Sequence, residues 1–105
     1  RFNPECLPSF FVGDMNATPD SEASRTFREY WLDTYDAVSP SARFGPENTY
    51  NAYKYPAGIS RIDYIYFRGA SVAVESYSCD PSLYSGGYPS DHFPVSSVIR
   101  IDPER

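Results

Sequence analysis

A chain of 105 residues is long enough for one domain with a modest core and too short for two. Its formal charge of −5 argues against a non-specific nucleic-acid binder, which needs a basic surface to displace counterions. It leaves room for an enzyme that meets phosphate esters through a bound cation, and no apolar run approaches membrane-spanning length.

The chain opens on Arg1-Phe2-Asn3-Pro4 without an initiator methionine and reads as a piece of something longer. The predicted elements begin with Ser9-Phe10-Phe11-Val12-Gly13, short, aromatic and β-branched, which suits a buried strand. From Pro19 to Trp31 the spacing becomes helical. Ala23, Phe27, Tyr30 and Trp31 recur on one side, and Arg25, Arg28 and Glu29 are left for the other. Thr18 or Asp20 is the expected cap. Residues 36–60 carry Pro40, Gly45, Pro46, Pro56 and Gly58 and read as a loop, with one short strand around Thr49–Tyr53. Arg61–Phe67 is the strongest strand signal. A second strand, Ser71–Ser78, follows through a tight Arg68-Gly69-Ala70 connection, as in a hairpin. After a loop over Asp80–Pro89, Pro94–Ile101 is the last strand. One strand, one helix, a loop and then several strands indicate a mixed α/β or α+β unit. Cys6 and Cys79 match no zinc spacing, and each reads as a buried small apolar side chain, with a disulfide left open.

Three places set a polar group at the end of an otherwise apolar strand. In Gly13-Asp14-Met15-Asn16, alternation past the glycine would put Asp14 and Asn16 on one side. An acid and an amide there can orient a water and hold an anionic oxygen, or they can simply form a polar turn. In the strand of Arg61–Phe67, Asp63 falls on the side of Ile65 and Phe67, facing inward. A carboxylate so placed needs a partner, either Arg61 or Arg68 as a structural pair or the histidine as a chemical one. The sole histidine, His92, follows Ser90 and Asp91 between Pro89 and Pro94. A buried carboxylate bonded to an imidazole fixes its tautomer and favours its charged form.

These motifs in this order closely resemble the carboxy-terminal half of the endonuclease/exonuclease/phosphatase superfamily, the metal-dependent phosphodiesterases related to deoxyribonuclease I and exonuclease III. The residues that carry the resemblance are Gly13-Asp14-Met15-Asn16, Arg61-Ile62-Asp63-Tyr64 and Ser90-Asp91-His92-Phe93. Thr49-Tyr50-Asn51-Ala52-Tyr53 looks like the family's threonine-aromatic loop. The resemblance implies an α+β four-layer sandwich, of which this chain is the carboxy-terminal half: a mainly antiparallel sheet with one or two helices. It also implies roles. Asp14 would orient or deprotonate the attacking water, and Asn16 would bind a phosphate oxygen. His92 would stabilise growing charge while held by Asp63, and Asp91 with Asp14 would place a metal. Thr49, Tyr50 and Asn51 would contact substrate. The cofactor would be Mg²⁺ or Mn²⁺, with its main glutamate ligand in the absent amino-terminal half. The substrate would be a phosphate ester, of a nucleic acid, a small molecule or a lipid headgroup.

The resemblance covers only part of such a domain, so the chain alone is expected to be inactive. It is also expected to expose an apolar sheet face, which the missing half or a second copy would cover. The rival reading is a non-catalytic binding or assembly module that retains half of the fold.

Overall fold

A computed structural model describes residues 7–53 and 61–102. Two three-stranded sheets carry the fold. The first is β1 (Ser9–Asp14), β4 (Asp63–Arg68) and β2 (Leu32–Asp33), with β4 in the middle and both pairings antiparallel. The second is β3 (Arg43–Phe44), β5 (Val72–Cys79) and β6 (Val95–Ile101), with β5 in the middle, parallel to β3 and antiparallel to β6. Helices α1 (Glu22–Phe27) and α2 (Thr34–Ala37) and a 3-10 turn at Pro40–Ala42 occupy the connections. The class is therefore the α+β one expected, with mainly antiparallel sheets and two α-helices.

The long strands fall where the hydrophobic patterns put them, each within about a residue or two of its expected bounds. Three expectations are corrected. The helix is one turn and a half, not Pro19–Trp31. Thr18–Asp20 forms a turn closed by Ser21 N–H on the Thr18 carbonyl at 3.0 Å, and Ser21, not Thr18 or Asp20, caps α1 by accepting from Ser24 N–H at 3.1 Å. Ser24 is the buried position, while Ala23 and Tyr30 face solvent. Arg28 is not free on the outer side, because it reaches back to the Pro19 carbonyl at 2.8 Å.

The second correction concerns the connection after β4, which is no hairpin. Both sides of β4 are already paired, to β1 and to β2, so the chain crosses at Gly69 (φ +131°) and begins the other sheet. A side chain at Gly69 would also press on Pro8 Cα at 3.2 Å. The third is Thr49–Tyr53, which forms no strand. It contributes one isolated bridge, Tyr50 to His92, and then turns through two left-handed residues, Ala52 (φ 53°) and Tyr53 (φ 60°). Cys6, Pro56 and Gly58 lie outside the described residues.

The core is aromatic. Tyr64, Tyr66, Phe67, Tyr77 and Phe93 are each at most 3% exposed, and each such side chain contributes roughly 1.5–3 kcal/mol of burial. Phe27 on α1 packs on Tyr66 at 4.6 Å and stacks on Trp31 at 5.8 Å, and Phe11 of β1 meets Phe27 and Trp31 edge-on. Phe11 thus faces the helix, so alternation turns Phe10 and Val12 to the other side of β1, where they stand 43% and 61% exposed. Cys79 sits in the second cluster with Val38, Tyr77 and Phe93. Its thiol, pushed up to about 12 by burial first and by the charges of Asp63 and Asp80 second, behaves as a small apolar side chain, as expected.

Candidate active site

The register of β1 on β4 sets Asp14 directly opposite Asp63 at the same end of the sheet. Like charges so placed repel, and the pair calls for a cationic group between them. His92 supplies one. Its Nδ1 lies 2.7 Å from Asp63 Oδ2, which leaves Nε2 turned toward Asp14 Oδ2 at 3.7 Å and Asp91 Oδ1 at 3.8 Å. The hydrogen bond to Asp63 raises the His92 pKa above its ordinary 6.5. Partial burial opposes the shift, and the charges of Asp63, Asp14 and Asp91 reinforce it.

Burial is graded across this group. The Asp63 side chain is 18% exposed and that of His92 26%, whereas Asp14 and Asp91 are 48% and 43% exposed. The inner carboxylate is therefore shielded against one partner, and the outer two remain open to solvent and ligand. Asp63 does share its face with Ile65 and Phe67, but the deepest residues of β4, Tyr64 and Tyr66, point the other way. Its position at the strand tip leaves it half-buried.

Asn16 reaches the site by another route than alternation. The strand stops at Asp14 and Asn16 adopts a left-handed conformation (φ 54°), which asparagine tolerates better than most residues. Its backbone N–H donates to Asp14 Oδ1 at 2.8 Å, so the two side chains come together through an Asx turn. Asp14, Asn16, Tyr50, Ile62 and His92 line one open cavity of about 410 Å³. The Tyr50 ring stands edge-on to the imidazole, 5.4 Å between centroids.

Thr49 and Asn51 do not line this cavity. Both are completely buried, and their side chains bond backbone where the sequence reading has them contact substrate. Arg61 and Arg68, the alternative partners for Asp63, are engaged elsewhere. Arg68 lies over the Trp31 ring at 5.5 Å. Arg61, only 2% exposed, pairs with Asp33 at 2.9 Å and lies between the rings of Tyr35 at 4.1 Å and Tyr64 at 4.9 Å. Burial works against its charge, but the Asp33 hydrogen bond and charge outweigh it and the pKa rises. The sequence reading missed Asp33. The cue lay in the run Leu32-Asp33-Thr34, an acid ahead of a polar turn, since Asp33 also caps α2 by accepting from Tyr35 N–H at 3.0 Å.

The donor set suits a hard cation. Asp14, Asp63 and His92 bring ligand atoms within 4.8 Å of one another, and the Asp91 carboxylate, 43% exposed, lies beside them.

The sequence pattern of the Endonuclease/Exonuclease/phosphatase family matches residues 1–92. Among solved structures, a mannosyl-6-phosphatase from Bacteroides thetaiotaomicron is 25% identical, with TM-score 0.80 over 93% of this chain and 39% of that one. An endonuclease/exonuclease/phosphatase family protein from the same organism is 26% identical, with TM-score 0.82 over 97% of this chain and 39% of that one. A functionally unknown conserved protein from Enterococcus faecalis is 26% identical, with TM-score 0.79 over 90% and 37%. The chain thus spans less than two-fifths of the length of these structures. No curated protein matches it.

Proposed function

The chain belongs to the endonuclease/exonuclease/phosphatase family, and from that premise we propose that it forms the carboxy-terminal part of a divalent-metal-dependent phosphoesterase. The observation that carries this reading is the convergence of Asp14, Asn16 and His92 on one cavity, with Asp63 behind the imidazole at 2.7 Å. Asp14 takes the proton of the attacking water, whose oxygen forms the new bond to phosphorus as the bond to the ester oxygen breaks; the departing oxygen takes a proton from solvent, and Asp14 returns its own to solvent. The Asn16 amide donates to a non-bridging oxygen. The hydrogen bond to Asp63 fixes the ring with Nε2 toward the cavity and favours the charged imidazole, the form that meets negative charge growing on the phosphoryl group. Asp14 and Asp91 would hold a Mg²⁺ or Mn²⁺ ion, whose chemistry is to neutralise phosphoryl charge. A positioned acid or base supplies about 10²–10⁴-fold, so the site needs both kinds of help.

A small phosphate ester is the favoured substrate over a polynucleotide. Each arginine among the described residues is engaged away from the cavity: Arg25 with the Asp20 carbonyl, Arg28 with that of Pro19, Arg43 with that of Tyr35, Arg61 with Asp33, Arg68 over Trp31 and Arg100 with Glu75. Tracking a phosphate backbone needs free cations. Turnover is expected only when the remainder of the domain is present to supply the metal's main acidic ligand and to cover Phe10 and Val12 on β1.

The test uses the protein expressed with all coding sequence that flanks this chain in its gene, Mg²⁺, a chromogenic phosphomonoester and a chromogenic phosphodiester. Loss of at least about 10²-fold in kcat is expected for Asp14→Ala and for His92→Ala. Activity that survives both substitutions overturns the assignment.

A further inference from the structure

We propose that Thr49 and Asn51 are positioning residues, a buried clamp that fixes the distance between the segment carrying Asp63 and the segment carrying His92. Asp63 and His92 come from parts of the chain far apart in sequence, one on a strand of the first sheet and the other in the loop that enters the second. Their 2.7 Å contact needs something to hold those two backbones in register. Residues 49–53 bond to both.

Thr49 faces β4 with its side chain and the histidine loop with its backbone. Its Oγ1 accepts from Ile62 N–H at 2.9 Å and from Asp63 N–H at 3.3 Å. Its carbonyl accepts from Phe93 N–H at 2.8 Å. One residue therefore grips the amide of the inner carboxylate and the amide just after the imidazole. Asn51 grips the other flank of the histidine. Its N–H donates to the Asp91 carbonyl at 2.7 Å and its Nδ2 to the Ser90 carbonyl at 3.1 Å, while its Oδ1 accepts from Tyr53 N–H at 2.6 Å. The last bond, together with Ala52 N–H on the Asp91 carbonyl at 3.3 Å, supports the two consecutive left-handed residues Ala52 and Tyr53. Non-glycine residues keep such a conformation only where the surroundings over-determine it, and such sites gather around functional centres. Both clamp residues are 0% exposed, which removes them from ligand contact, and Tyr50 between them is the one that faces the cavity.

The kinetic arm of the test rests on the phosphoesterase reading, whereas an amide-exchange arm does not. Both use the protein with its flanking coding sequence. Thr49→Val keeps the shape and removes the acceptor, Thr49→Ser keeps the acceptor, and Asn51→Ala removes the grip on Ser90. Displacing catalytic groups by about an ångström costs on the order of 10²-fold. Thr49→Val and Asn51→Ala are therefore expected to lower kcat by roughly 10- to 100-fold with KM changed less than about twofold, and Thr49→Ser to restore most of the rate. By nuclear magnetic resonance, amide exchange at Ile62 should quicken about tenfold in Thr49→Val, as for one lost hydrogen bond, and should stay near the parent's in Thr49→Ser. A folded Thr49→Val protein with unchanged kcat overturns the proposal, as does a loss carried by KM alone. If the parent turns over no phosphate ester, the phosphoesterase reading fails and exchange alone decides the clamp: unchanged protection at Ile62 and Asp63 in Thr49→Val overturns it. Should Thr49→Val fail to fold, Thr49→Ala is read by the same criteria.

Discussion

Removing Asp33 tests the buried charge that holds the base of β4. Both of its carboxylate oxygens are used: Oδ2 faces Arg61 Nη2 at 2.9 Å, and Oδ1 accepts from Tyr35 N–H at 3.0 Å. Neither side chain touches solvent appreciably, at 0% and 2% exposure. Among the described residues Arg61 Nε and Nη1 have no hydrogen-bond partner, so the guanidinium depends on Asp33 and on its two flanking rings. Breaking a buried pair from one side costs about 3–5 kcal/mol, because the remaining charge stays desolvated and uncompensated. Asp33→Asn keeps an acceptor for the α2 cap and should cost about 3 kcal/mol. Asp33→Ala loses the cap as well, which adds about 1 kcal/mol. Against a typical total of 5–15 kcal/mol, either is a large fraction. Urea denaturation followed by circular dichroism measures both. The double variant Asp33→Asn with Arg61→Met should recover at least half of the single loss, since replacing both ions removes the desolvation cost. A loss below about 1 kcal/mol for Asp33→Ala would refute the argument, because it would mean that Arg61 is hydrated or paired in some other way.

His92 is the only histidine of the chain, so its ring resonances report one site. With metal chelated, its titration midpoint should lie above 6.5, and Asp63→Asn should bring it back toward 6.5, because the hydrogen bond to Asp63 is the main cause of the rise. The sign for stability follows from the raised value. The contribution of His92 is fully present below pH 6.5 and is lost as pH climbs through the folded-state midpoint, so denaturation midpoints should fall across that window in the parent and less in Asp63→Asn. Adding Mg²⁺ should lower the His92 midpoint, since a cation held by Asp14 and Asp91 repels the imidazolium; an unmoved midpoint at saturating Mg²⁺ argues against those ligands. Gly45→Ala should abolish or severely weaken folding, by more than about 3 kcal/mol, because a Cβ there would overlap the Cys79 carbonyl oxygen at a backbone φ of +87°; a soluble variant with the parent's melting temperature would count against the β3–β5 packing. In a Cys6→Ser background, Cys79 should resist a thiol reagent until the protein unfolds, given a thiol pushed up to about 12.

What was legible in the sequence follows from the range of the signal. The strands of Ser9, Asp63, Val72 and Val95 announce themselves because apolar and aromatic residues fill contiguous runs, and the tips of those runs expose Asp14, Asp63 and His92 as polar exceptions. Partner choice was less legible. Nothing local says that Arg61 prefers Asp33 across 28 positions to Asp63 two residues away, because that preference is set by the burial of α2 against β4. Helical spacing overran α1 because Trp31 keeps the phase of Phe27 after the helix has ended. The two still stack at 5.8 Å, so packing alone maintains the periodicity there. The threonine-aromatic segment reads as a strand by composition, but it spends its hydrogen bonds on two other segments instead of on a ladder.

That last misreading bears on how the fold keeps a site at this end. The interior is divided by chemistry. Around Phe27, Tyr66 and Trp31 it is held by ring packing, whose main driving force, apolar burial, is non-directional. Toward the acids it is held by the side-chain hydrogen bonds of buried Asp33, Thr49 and Asn51, each at most 2% exposed. Hydrogen bonds are directional, and leaving one unmade in the interior costs about 1–3 kcal/mol. A polar interior therefore admits few alternative arrangements of the strand tips, whereas an apolar one admits several of nearly equal energy. A carboxylate and an imidazole that must meet at 2.7 Å benefit from the first kind of support. On this argument the residues surrounding the candidate site contribute to function through their direction more than through their stability. Thr49→Val, which conserves volume but not hydrogen bonding, should then lower kcat more than the truncation Phe93→Leu, reversing the order that burial of apolar area alone would give.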